Sequence, residues 1–170
     1  MALLLPVNKI SPKYGADCFF SSNGTIIGDV VMCNQCSVWF NTVIRGDVNS
    51  ILMGHKVNVQ DGAVIHCTFG KTKTIIGNNV SIGHNAIVHG CVIDNNVLVG
   101  MGAIIIDNAH IGSNCIIAAG AVVLENTRVE TGSIYAGVPA KKVKDISAEL
   151  ISGEINRIAD NYVTYSGWFK

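Results

Sequence analysis

The feature that most restricts this chain is a repeat of six residues. From Val99 onward an aliphatic or, at the end, an aromatic residue opens every hexad: Val99, Ile105, Ile111, Ile117, Val123, Val129 and Tyr135. The fifth position is small, at Ala103, Ala109, Cys115, Ala121, Thr127 and Ser133, and the second is often Gly or Ala. Earlier hexads take the same form at Ile27, Cys33 and Trp39, at Met53, Val59 and Ile65, and at Ile76, Ile82 and Val88. The phase breaks between Arg45 and Met53 and between Thr68 and Ile75, and one residue is missing between Val88 and Ile93. Six residues are too few for a helix pair or a long hairpin but suit one short strand and one turn. Three such units close a coil, so the repeat predicts a three-sided prism, a parallel β-helix with inward aliphatics stacked from coil to coil. Composition agrees: 20 Val and 22 Ile against 7 Leu favour strands, while 18 Gly and 16 Asn supply turns with positive φ.

A chain of 170 residues fits a single domain spanning 1–170, with the β-helix over about 10–140. After Pro139 the hexads stop. Leu150, Ile151, Ile155, Ile158, Ala159 and Tyr162 recur at helical spacing behind a Ser147 cap, predicting a C-terminal α-helix over about 146–165 that lies on a prism face and is weakened at Gly153. Twelve basic residues balance twelve acidic ones and only 14% of the chain is charged, which argues against a broad nucleic-acid-binding surface. The longest apolar stretch, from Cys115 to Leu124, is too short to span a bilayer, and the opening residues lack the features of a signal peptide. A soluble, cytoplasmic protein is expected. Cys33 and Cys36 form a CxxC without a second pair at zinc-site spacing, so the six cysteines are read as reduced thiols.

Three of the five histidines stand close together: His66, His84 and His89. His66 and His89 each follow an inward residue, Ile65 and Val88, on the same side one coil apart. They should therefore point outward, stacked at about one strand spacing of 4.8 Å, which suits two imidazoles gripping one metal ion. His84 has a different phase and should face away from them within one chain, which leaves a neighbouring subunit as a possible source of the third imidazole. Three imidazoles leave a coordination position for water, the pattern of catalytic metal sites. Isolated His55 and His110 are read as exposed or backbone-bonded. Upstream, Arg45, Asp47, Asn58, Gln60 and Asp61 cluster near the same coils, where an amide from Asn58 or Gln60 is placed to orient water or substrate.

Three motifs, R-G-D at Arg45, N-x-Q-D-G-x-V-I-H from Asn58 and G-H-x-x-x-x-H from Gly83, resemble those of the γ-class carbonic anhydrases and their carbonic-anhydrase-like relatives. That resemblance implies a left-handed β-helix, a homotrimer, and a zinc site with iron(II) or cobalt(II) as other fits. It also implies His66 and His89 as ligands from one chain, His84 from the next, and hydration of CO2 to bicarbonate. Gln60 matches the residue that hydrogen-bonds metal-bound solvent, assisted by Asn58. Arg45 matches the arginine that pairs with acids across the interface, with Asp47 and Asp61 as candidates, and Tyr162 matches a tyrosine near the pocket. The chain departs from the pattern at Val48, where well-characterised members carry glutamate, and at Lys71 and Lys73 in place of an acidic loop. Those glutamates assist proton transfer. Two other classes fit a hexad prism: an acyltransferase using coenzyme A with one histidine as general base, and a non-catalytic metal-binding protein.

Overall fold

The computed structural model describes residues 2–169. The architecture is the expected parallel β-helix with a C-terminal helix on one face. In-register pairing stacks one residue per coil in three inward columns. The first runs Ile26, Ile44, Ile65, Val88, Ile105, Val123. The second runs Met32, Met53, Ile76, Ile93, Ile111, Val129. The third runs Phe20, Val38, Val59, Ile82, Val99, Ile117, Tyr135. Nearly all of these are buried. Each fully buried aliphatic contributes about 1.5–3 kcal/mol relative to exposure, so the columns carry most of the stability. At the corners Asn79, Asn96, Asn114 and others hold positive φ, and the side chains of these three form a hydrogen-bonded ladder at 2.9 and 3.2 Å.

One expectation is corrected. In the first coils the inward residues are Ile26, Met32 and Val38, not Ile27, Cys33 and Trp39. The strand Thr25–Met32 alternates strictly, which turns Ile27 outward beside Leu5 and Arg45. Trp39 is buried for another reason: it lies outside the prism with Phe19, Phe40, Tyr162 and Phe169, in the aromatic cluster that docks the helix.

The departures from period six fall at a single corner. The interval between inward residues is nine from Ile44 to Met53, eleven from Ile65 to Ile76 and five from Val88 to Ile93. The long strand Val43–Met53 turns this corner without interruption, and the next coil throws out a loop over residues 67–73. The other corners are regular there, so the irregularity is local to the residues described below.

The solenoid ends with Lys141–Asp145 running antiparallel to Ser133–Ala136. Ser147 caps the terminal helix, its hydroxyl accepting from Leu150 N–H at 3.3 Å. The helix is not uniform: Ile151–Asn156 is π-helical around Gly153, and Arg157–Gly167 is α. Its buried stripe is Ile155, Ala159 and Ser166. No helix among the described residues is long and apolar enough to cross a membrane.

Candidate metal centre

His66 and His89 end the paired strands Val64–His66 and Ile87–His89, in direct register. Because Ile65 and Val88 point inward, the histidines after them point out, and both rings are partly buried at the irregular corner. His66 Nδ1 and His89 Nε2 face each other at 3.2 Å. Their other nitrogens each meet a carboxylate: His66 Nε2 lies 3.1 Å from Asp47 Oδ1, and His89 Nδ1 lies 2.6 Å from Asp107 Oδ1. Asp47 in turn pairs with Arg45 of the same chain.

This row of four side chains is short of one hydrogen. It has three contacts, whereas two neutral imidazoles supply two N–H groups. If both outer nitrogens donate to their carboxylates, the inner pair present lone pairs to each other, and a cation must satisfy them. Burial holds His66 below its ordinary pKa, with the Asp47 hydrogen bond opposing, which disfavours a third proton as that cation. Two nitrogens each about 2.0–2.1 Å from one tetrahedral zinc ion stand about 3.3–3.4 Å apart, close to the spacing seen. The donor set therefore fits a metal. Burial alone would raise the Asp47 carboxyl, but hydrogen bonds from Arg45 and His66 outweigh it and hold the group below its usual range. Asp107 behaves likewise: burial opposes, and bonds from Thr68 and His89 prevail.

His84 lies elsewhere in the same chain, past Ile82 on the face that carries the helix. Its Nδ1 is 2.9 Å from Asp61 Oδ2, and its Nε2 faces the Tyr162 hydroxyl at 3.5 Å, a long contact. Burial, with the Asp61 charge adding, pushes the Tyr162 phenol up to about 12, so it stays protonated. Among the described residues no three His, Cys, Asp or Glu side chains of one chain are grouped to hold a metal ion. Each of the three histidines thus has one nitrogen on a carboxylate and the other turned away, the arrangement in which outer partners fix a metal-ligating ring. Carboxylate proximity alone is not selective, since His110 also lies 3.1 Å from Asp94, but its Nε2 lacks an aligned bond.

Gln60 and His84 line a groove of about 460 Å³ between the prism and the terminal helix, walled by Leu98, Met101, Ile116 and Tyr162. Asn58 Nδ2 donates to Ser81 Oγ at 2.7 Å, and Asn58 Oδ1 accepts from Gln60 Nε2 at 3.0 Å. The Gln60 amide is thereby oriented with its oxygen left as an acceptor. The residues singled out from the sequence fall into two groups in the structure: Arg45, Asp47, His66 and His89 meet at the irregular corner, and Asn58, Gln60, Asp61, His84 and Tyr162 stand on the face that carries the helix. Sequence reasoning misses Asp107 and Ser81. Asp107 stands one coil, 18 residues, beyond His89, and Ser81 pairs in register with Asn58; counting coils would have found both.

A family model described as bacterial transferase hexapeptide (six repeats) matches residues 90–125. A carbonic anhydrase of Geobacillus kaustophilus is 43% identical over 168 residues, covering 99% of this chain and 91% of its own. Gamma carbonic anhydrase 2, mitochondrial, of Arabidopsis thaliana is 37% identical over 165 residues, covering 94% of this chain and 59% of its own. The crystal structure of a hexapeptide transferase family protein from Anaplasma phagocytophilum superposes with a TM-score of 0.93 at 36% identity, covering 99% of this chain and 98% of its own. With the parallel prism, the paired histidines and these relatives in agreement, the chain belongs to the γ-class carbonic anhydrase family of hexapeptide-repeat proteins.

Proposed function

We propose that this protein hydrates CO2 to bicarbonate at a metal site shared by two subunits of a homotrimer, with His66 and His89 from one chain and His84 from the next. The observation that carries this reading is the facing pair His66 Nδ1 and His89 Nε2, 3.2 Å apart with a carboxylate behind each ring. His84, oriented by Asp61, is the third imidazole, and a three-fold ring brings it to a neighbour's pair. An outward aliphatic column beside the histidines, through Val43, Val64, Ile87, Ile104 and Val122, supports a subunit contact on that face.

Three imidazoles suit zinc first, and iron(II) or cobalt(II) by the same donors. The ion would supply a water acidified from about 15.7 to about 7, hence a nucleophile at neutral pH. The chain's own groups do the rest. Gln60, its NH2 committed to Asn58, offers its oxygen to a water hydrogen and so turns the water's lone pair toward substrate. Arg45 holds Asp47 ionised against His66, keeping that ring's inner nitrogen unprotonated. The mostly apolar groove walls admit uncharged CO2 more readily than bicarbonate. Val48 and the exposed Lys71 and Lys73 offer no carboxylate to carry the released proton, so hydration should respond to buffer concentration.

The test is metal analysis of anaerobically purified protein combined with CO2 hydration assays before and after chelation and remetallation. About one ion per chain, with activity lost and regained alongside it, is expected. Metal without hydration would leave a binding protein, and acetyl-coenzyme A turnover by the same preparation would return the chain to acyl transfer.

A further inference from the structure

The irregular corner does more than expose two histidines. Its extruded loop and a regular turn one coil away close on a single carboxylate. Asp107 Oδ1 lies 2.6 Å from His89 Nδ1, while Oδ2 accepts from the Thr68 hydroxyl. Thr72 Oγ1 lies 3.4 Å from Asp107 Oδ1 and accepts Thr68 N–H at 3.0 Å, which closes the loop on itself. Thr74 Oγ1, where the chain re-enters the prism, donates to the His66 carbonyl at 2.7 Å and accepts Gly90 N–H at 3.0 Å. The loop is therefore pinned to both histidine strands. Gly90 completes the arrangement: with φ at +56° it follows His89 directly, and a β-carbon there would land on the Asp107 carboxylate and the Thr72 hydroxyl. Only a glycine lets the carboxylate lie this close to the ring.

We infer that Asp107 is the positioning residue of His89, accepting the hydrogen bond of Nδ1–H and so leaving Nε2 bare toward His66, and that the loop of residues 67–73 holds Asp107 in place through Thr68 and Thr72. This gives the long interval between Ile65 and Ile76 a purpose in the site. In water a neutral imidazole prefers its proton on Nε2, the nitrogen that must be bare here to bind a cation. Asp107 reverses that preference, because an ionised carboxylate is a stronger acceptor for Nδ1–H than water. The consequence for metal binding rests on the function proposed above, but the tautomer does not.

The experiment uses the full chain labelled with 15N-histidine. In metal-free protein at about pH 8, where imidazoles are neutral, ring N–H couplings should place the His89 proton on Nδ1. Asp107→Ala should move it to Nε2, whereas Asp107→Asn, whose side-chain oxygen still accepts, should keep it on Nδ1. Zinc affinity by chelator competition should fall about 10–100-fold in Asp107→Ala, less in Asp107→Asn, and slightly in Thr68→Val. A wild-type His89 protonated on Nε2, or a tautomer and zinc affinity unchanged in Asp107→Ala while only melting temperature drops, would reduce Asp107 to a loop fastener and overturn the inference. Should wild type bind no zinc, the metal reading fails and the tautomer alone decides the role of Asp107. If Asp107→Ala does not fold, Asp107→Asn and Thr68→Val give the same two readouts.

Discussion

Replacing Gly90 by alanine separates two costs that the structure assigns to different causes. Gly90 has φ of +56°, and Gly120 has φ of +67° with nothing within 4 Å of a built β-carbon. Both substitutions force an L-residue into the left-handed region, at about 1–2 kcal/mol. Only Gly90→Ala drives a methyl group into Asp107 and Thr72. The Asp107 carboxylate must then leave His89 or Thr68, and a lost hydrogen bond to a charged group costs about 1.5–3 kcal/mol. Gly90→Ala should therefore destabilise by about 2.5–5 kcal/mol and Gly120→Ala by about 1–2, a gap that is a sizeable part of the 5–15 kcal/mol of an ordinary domain. Urea unfolding of the metal-free protein, followed by circular dichroism at one protein concentration, measures it. Equal losses in the two variants would show that the Asp107 contacts contribute nothing to the fold and would refute the reasoning.

Three further outcomes are expected of the same fold. Ile105→Ala, at a fully buried position in the first inward column, should cost about 2–5 kcal/mol in urea unfolding, and a loss under about 1 kcal/mol would mean the column is loosely packed. The Cys18 thiol is lowered to about 7 by its hydrogen bond with Cys36, against the opposing effect of burial, while Cys36 is pushed far up. Alkylation of Cys18 should thus reach half its maximal rate near pH 7, and a midpoint at the ordinary thiol value of about 8.5 would contradict that. Gln60→Ala should keep its metal but lose CO2 hydration rate, whereas His66→Ala should lose the metal; retention of metal by the His66 variant would remove that ligand.

The prism was legible because Val and Ile recur every six residues for purely geometric reasons, and the register of His66 with His89 followed from Ile65 and Val88. The first coils misled because Ile27 and Trp39 are apolar for causes outside the prism: Ile27 beside Leu5, and Trp39 against Tyr162 and Phe19. Asp107 escaped notice since an Asp-Asn pair after three isoleucines looks like an ordinary turn, and its partner stands a full coil earlier. The π-helical stretch around Gly153 left only a weak trace, a glycine within an otherwise regular stripe. Periodicity thus reports what each coil repeats, while the site resides in what one corner does differently.

The central claim is that the paired histidines and His84 act from different chains. It is tested most directly by mixing His66→Ala with His84→Ala chains by coexpression, each alone unable to bind metal. A site is whole when its pair comes from the His84 variant and its third imidazole from the His66 variant, so random assembly into three-fold rings makes about a quarter of sites complete. Metal content and CO2 hydration should return together to about that fraction. Mixed trimers that recover neither metal nor activity would place all three ligands in one chain and contradict the account.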